Sequence, residues 1–381
     1  MLKYDKITVP LSEGTWIKTE TSSGKIDYQF TPTDMEQVAK YSVKETGIKV
    51  VGKNASFQKV FSNNPISEFV AISLEDKKIA DEILQFIRNY GFLFHGRGVH
   101  YFSAQEFCYL SKRMRLLLEV IEGLYLLDRR KAITIFSLLQ HCVEIQSSCR
   151  GWFDFSWIDR ESAFISPQEF EQEFSRSPRL HYYSFSNINF DVDGFNVHEK
   201  TAETKARLIL AQDALADRNE EDETEHDSIE ALTVDLLIFV FDDLPFYFNG
   251  GKLIIENQNM LDKPLQNAKE LTEKLSILAK KIIETEINSV VPKISYTFSA
   301  ENQAASPVSL DLFELMYFSL MILDQNKYIY TDCANPRCKK KVLKTITGSN
   351  GGYCCYACRK RHNAAEVRAS KALQKGGAAT L

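Results

Sequence analysis

Long apolar runs are missing from these 381 residues: the richest, "LLIFVF" from Leu236 to Phe241, is six residues long and bracketed by Asp235 and Asp242. A membrane-spanning helix needs about 18 or more such residues, so none is expected. The first residues, "MLKYDKITVPLSEG", lack the basic-then-apolar layout of a secretory signal, which makes a cytoplasmic location the expectation. Missing too are His-Glu-x-x-His, Gly-x-Ser-x-Gly, a phosphate-binding loop and a dinucleotide fingerprint, so the chain does not read as an enzyme. "DVDG" at Asp191 to Gly194 and "GSNGG" at Gly348 to Gly352 read as turns, and His141 beside Cys142 points about 100° away from it on a helix. There is no internal repeat and no low-complexity segment.

What is present is enough apolar (44%) and aromatic (12%) content to bury a substantial core. The predicted fold class is α+β: a predominantly α-helical body with small β elements, followed by a C-terminal zinc-binding module. Residues 1–97 read as mixed α and β. A hairpin is expected around Ser22-Ser23-Gly24, one helix through "PTDMEQVAKYSVKE" (32–45), and another through "EDKKIADEILQFIRNYG" closed by Gly91. The glycine-rich "HGRG" at His95 to Gly98 marks a boundary.

Residues 98–326 read as a mainly helical region. Ser103-Ala-Gln-Glu106 has the form of a capping box and opens a helix whose hairpin partner is "DRRKAITIFSLLQHCVEIQ". Further helices are expected over 198–217, 228–244 and 264–287, with a strand at "GGKLIIENQ" and a strand-like "INFDVDGF" after the aromatic-rich 151–164. "RNEEDETEHD" (218–227) is too densely charged to be buried. A last helix within "SPVSLDLFELMYFSLMILDQN" takes Ser306-Pro307 as its start. Cys108, Cys142 and Cys149 lie in apolar surroundings and read as buried inert thiols.

The remaining five of eight cysteines crowd into residues 327–375, leaving 376–381 as a disordered tail. Cys333 and Cys338 form C-x4-C, Cys354 and Cys358 form C-x3-C, and fifteen residues separate the pairs. Two short-spaced pairs need one tight turn each to converge on a tetrahedral ion, so one structural Zn2+ is expected, held by Cys333, Cys338, Cys354 and Cys358. An alternative set takes Cys355 in place of Cys354. A basic segment of this length has too little apolar content to fold without such a staple.

Charge is divided unevenly. From Cys333 to Lys375 there are eleven bases against one acid, Glu366, while the whole chain carries −5, so the remainder carries −15. On a helix beginning near Arg359, Arg361, Arg368 and Lys375 recur every seven residues with Lys360 and Lys371 beside them. With Lys339, Lys340 and Lys341, the residues Arg359, Lys360, Arg361, Arg368 and Lys371 form the expected phosphate-contacting set. The alternative is a basic face that docks on an acidic partner or on the acidic part of this same chain.

"CANPRC", the glycine-containing basic loop and "YCCYACRKRHNAAEVRASK" together resemble the C-terminal treble-clef zinc finger of bacterial CGNR-type proteins and related uncharacterised families. Cys333, Asn335, Pro336, Cys338, Tyr353, Cys354, Cys358 and Arg361 match that pattern by position or type, Cys355 stands where serine is usual, and Arg359-Lys360 replaces Gly-Asn. The resemblance covers about 45 residues. It implies a bacterial DNA-binding protein engaged in transcription regulation, reading duplex DNA, whose N-terminal body takes a small ligand or a protein partner. A zinc-stapled protein–protein interaction or structural role without nucleic acid is the alternative.

Overall fold

The computed structural model describes residues 3–20, 26–44, 47–53, 64–73, 78–91, 93, 100–127, 131–148, 197–216, 225–249, 252–291, 296–299, 304–307, 311–347 and 352–376. The glycine-rich boundary at 95–98, the aromatic-rich 151–164, the strand-like 188–195, Cys149, most of 218–227 and the tail after 376 lie outside the described residues. Helices predominate, with antiparallel sheets between them. No described helix is long and apolar enough to cross a membrane. The chain divides into two compact units, residues 1–118 with 286–381, and residues 119–285.

The first unit opens with β1 (Lys3–Glu20) and β2 (Ile26–Lys44), paired antiparallel from Glu20↔Ile26 to Lys3↔Lys44 as the expected hairpin requires, Ser22 to Gly24 themselves lying outside the described residues. These strands are far longer than the small β elements anticipated. The helix expected over 32–45 does not form, because those residues continue β2. Pairing with the neighbouring strands on both edges overrides the local preference. Beyond β1, β2 also pairs with β3 (Gly47–Lys53) through Ala39 to Lys44, and with β4 (His100–Ser103) through Asp27 to Phe30. A strand bonded along both edges satisfies its backbone polar groups without help from side-chain propensity.

Short α1 (Pro65–Phe69) begins where the Asn64 side chain accepts the N–H groups of Ile66 (3.0 Å) and Ser67 (3.4 Å), with proline in the first position where its missing N–H costs nothing. As expected, α2 (Ile79–Tyr90) closes at Gly91, whose φ of 99° suits glycine. Phe69 is the hub of an aromatic core: its ring lies 5.4 Å from Phe86, 5.3 Å from Phe107 at the start of α3 (Ala104–Leu126) and 6.3 Å from Phe313. Phe313 belongs to α8 (Leu312–Met321), buried on nearly every side. Its true start is Asp311, which forms a capping box with Glu314, and not Ser306-Pro307. Those two residues lie in β8 (Ala304–Pro307), paired with β7 (Tyr296–Ser299).

Deep in this unit the Glu286 carboxylate is fully buried. It takes both arms of the Arg113 guanidinium at 2.6 and 2.7 Å and the Tyr317 hydroxyl at 2.6 Å.

The second unit holds the remainder of α3 together with α4 (Ala132–Ser148), α5 (Val197–Ala216), α6 (Glu225–Phe241) and most of α7 (Ala268–Asn288), the helices expected there. Between α6 and α7, β5 (Phe246–Asn249) pairs with β6 (Lys252–Ile255), so the strand read in "GGKLIIENQ" has a partner the sequence reading missed. Gly123 on α3 lets Leu138 of α4 come so near that an added Cβ would lie 2.9 Å from its side chain. Cys142 is buried and desolvation pushes its thiol up, which suits an inert core thiol; Cys108, in the first unit, is buried as well.

Candidate metal centre

Two strands and one helix deliver the thiols. β9 (Tyr328–Asp332) and β10 (Lys341–Thr345) pair from Asp332↔Lys341 to Tyr328↔Thr345, and the C-x4-C segment is the turn between them. Buried Asn335 shapes that turn: its side chain accepts the Arg337 N–H at 3.1 Å and its carbonyl accepts the Cys338 N–H at 2.8 Å. The Cys333 N–H donates to the Lys340 carbonyl at 3.0 Å, closing the loop at its base. The second pair is brought in when Ala334 donates to the Gly352 carbonyl at 2.7 Å and Cys354 donates its N–H to the Cys333 sulfur at 3.5 Å. Cys358 then falls in the first turn of α9 (Tyr356–Gly376).

The sulfur atoms of Cys333, Cys338, Cys354 and Cys358 all lie within 4.8 Å of one another, and those of Cys338 and Cys354 are 3.6 Å apart. A tetrahedral ion with metal–sulfur distances of about 2.3 Å has sulfur–sulfur edges of about 3.8 Å, so the four positions fit a single metal ion. Cys333 and Cys358 are buried and the other two half-buried. As bare thiols the set ionises with difficulty. Burial pushes Cys338 up to about 11, and burial with crowding by Cys358 and Cys338 pushes Cys354 higher still. Burial also opposes ionisation of Cys333, but N–H donors from Cys354 and Asn335 outweigh it and lower that thiol. A divalent cation at the centre would supply the charge that lets all four become thiolates.

Cys355 is exposed and stands outside the four. It occupies the N-cap of α9, where its sulfur accepts the Cys358 N–H at 3.4 Å, and that N–H is the main reason its thiol is lowered. It thus does what a serine would do at this position.

The basic residues divide into two groups. Lys340 pairs with Glu68 on α1, and Lys341 is buried with its ammonium 3.3 Å from Asp332. Lys339 is itself exposed, while its backbone carbonyl accepts from Arg115 of α3 at 2.7 Å, and the same guanidinium reaches Asp332 at 3.1 Å. Nearby, the Asn64 amide donates to the buried Tyr330 hydroxyl at 2.9 Å. Sequence reasoning missed Asn64, Glu68 and Arg115, since nothing local links them to residues more than 200 positions away.

Arg359, Lys360, Arg361 and Arg368 form the second group, all exposed on α9, with Lys371 further along the same helix. None of these four exposed side chains is held in an ion pair among the described residues. At about 100° per residue, Lys360, Arg361, Arg368, Lys371 and Lys375 share an arc of about 100°, with Cys358, His362 and Glu366 on the other side. His362 secures that other side, its Nδ1 lying 2.8 Å from the Tyr353 hydroxyl and its Nε2 3.8 Å from Glu366. No protein-family model matches the chain, and no curated protein or solved structure matches it either.

Proposed function

We propose that the C-terminal segment is a treble-clef zinc module whose basic helix α9 binds the phosphate backbone of nucleic acid, duplex DNA being the intended partner. Four thiolates favour zinc among the common divalent ions, and a closed set of four leaves no position for water or substrate, so the ion's role is structural. The observation that carries the reading is the state of α9. From Tyr356 to Arg368, Cys358 is the only buried residue, and the helix turns its basic arc away from the cluster that anchors it. A basic helix held at one end by a rigid staple is suited to lie in a groove and contact phosphates. The resemblance to the CGNR-type finger supports the same reading and extends it to a bacterial regulator whose body senses a ligand or partner.

The test is fluorescence anisotropy of the full-length, zinc-loaded chain with random-sequence duplex DNA, single-stranded DNA and RNA across a salt series. Affinity for duplex should fall steeply with salt, and Arg361→Ala and Arg368→Ala should each reduce the slope by about one. Absence of binding at low salt would overturn the proposal.

A second reading is supported by the contacts of β9, β10 and the turn between them with the rest of the first unit. Lys340 on Glu68, Arg115 on Lys339 and Asp332, and Asn64 on Tyr330 fasten the module to α1 and α3. On that reading the module is a structural closure of its own unit, and zinc removal lowers stability without any effect on a nucleic-acid partner.

A further inference from the structure

We propose that Arg115 is a positioning residue of the metal centre, setting metal affinity from a helix more than 200 residues upstream of the ligands. The inference rests on the reading of the four cysteines as a metal site. One arm of the Arg115 guanidinium donates to the Lys339 carbonyl at 2.7 Å, and the other to the Asp332 carboxylate at 3.1 Å. Asp332 immediately precedes the ligand Cys333, and Lys339 immediately follows the ligand Cys338. A single planar fork therefore spans both ends of the ligand-bearing turn.

The remaining contacts tie that fork into its surroundings. Arg115 also reaches the Val70 carbonyl at the end of α1 at 3.5 Å, so the clamp is fastened to the body. Asp332 takes a second cation, the buried Lys341 ammonium, at 3.3 Å. Across the same base the Cys333 N–H meets the Lys340 carbonyl at 3.0 Å.

Two physical effects follow. The guanidinium has fixed donor geometry, so bonding both flanks fixes the separation of Cys333 and Cys338 before an ion arrives. The ion then spends less of its binding free energy on ordering the loop. Four thiolates around a divalent ion are also net negative, and the Arg115 guanidinium, bonded to the residues that flank Cys333 and Cys338, brings a positive charge to that turn. Outer contacts of this kind commonly change metal affinity by about ten- to a hundredfold. A lysine at 115 would keep the charge but lose the two-pronged geometry.

The experiment titrates the full-length chain with Co2+, recording the thiolate-to-metal and d–d absorption, and then displaces Co2+ with Zn2+. Arg115→Ala should weaken Co2+ binding about ten- to a hundredfold and alter the d–d envelope, with an unchanged far-ultraviolet circular dichroism spectrum. Arg115→Lys should recover part of the affinity but not the wild-type envelope. Wild-type affinity and spectrum in Arg115→Ala would overturn the proposal. Should that variant fail to fold, Arg115→Lys and Asp332→Asn carry the test, and wild-type binding in both would overturn it equally. A wild-type chain that takes up neither ion would instead sink the metal reading itself, an outcome distinct from equal binding by wild type and variant.

Discussion

The backbone N–H of Cys358 donates to the sulfur of Cys355 at 3.4 Å, so the fifth thiol caps the helix that carries the fourth ligand. Cys355→Ser should therefore retain the full metal content with stability equal to or above wild type, since a hydroxyl is a better cap acceptor than a thiol. Cys355→Ala should lose about 1 kcal/mol while still holding the metal. Cys354→Ser, by contrast, removes a ligand and should lower metal content sharply. Metal analysis and thermal denaturation of the three variants check the set.

Metal uptake should release protons. With Cys338 at about 11 and Cys354 raised further, both thiols are protonated at pH 7 and must ionise to bind. The metal-bound state thus holds fewer protons than the free state at every pH below those values. Affinity rises with pH and falls on acidification, by about a hundredfold per pH unit if these two protons alone are displaced. Calorimetric titration in buffers of different ionisation enthalpy measures the count, and release of fewer than one proton would contradict the crowding argument.

A buried carboxylate that accepts three hydrogen bonds, two from Arg113 and one from Tyr317, is expensive to disturb. Glu286→Ala leaves the Arg113 guanidinium without its buried counter-charge and should cost about 3–5 kcal/mol. Tyr317→Phe removes one hydroxyl donor from a carboxylate that keeps both arginine bonds, and about 1–2 kcal/mol is expected. Denaturant unfolding of the two variants gives the ratio directly, and equal small losses would show that the pair is not desolvated as described.

At Gly123 two effects of opposite sign compete. Alanine is the better helix former by about 1 kcal/mol, but its Cβ would sit 2.9 Å from Leu138 Cδ1 and 3.2 Å from Leu138 Cβ. Overpacking of that kind costs about 1–3 kcal/mol, so Gly123→Ala should be neutral to destabilising overall. Adding Leu138→Val should be less harmful in the Gly123→Ala background than alone, a coupling that a double-mutant cycle of melting curves reads out.

The four clustered cysteines were legible because each pair is a local device: a few intervening residues, one of them Asn335, make each turn. The long helices were legible for the same reason, their apolar spacing and end signals such as Gly91 being local too. Residues 32–45 misled because Met35, Glu36, Gln37, Ala39 and Lys44 are all tolerable in helices, while the partners that hold 32–44 as a strand lie in β1 and β3. A period-two signal was nonetheless present, with Ala39, Tyr41 and Val43 alternating against Lys40, Ser42 and Lys44. Ser306-Pro307 imitates a helix start, but Asp311 and Glu314 have the capping-box spacing and begin α8. The division of the lysines was not legible. Only the folded neighbourhood shows that Lys340 and Lys341 serve Glu68 and Asp332 while Arg359, Lys360, Arg361 and Arg368 are exposed.

The bond from Asn64 to Tyr330 joins residues 266 positions apart. During synthesis at roughly 5–20 residues per second, Asn64 must wait on the order of tens of seconds before its partner exists. Residues 119–285, a contiguous stretch, can be complete and folded in that interval, whereas the aromatic hub around Phe69 lacks Phe313 until late. The nascent chain therefore carries an unfinished apolar surface near its beginning for most of its time on the ribosome, and the first unit closes only once its last hundred residues have emerged.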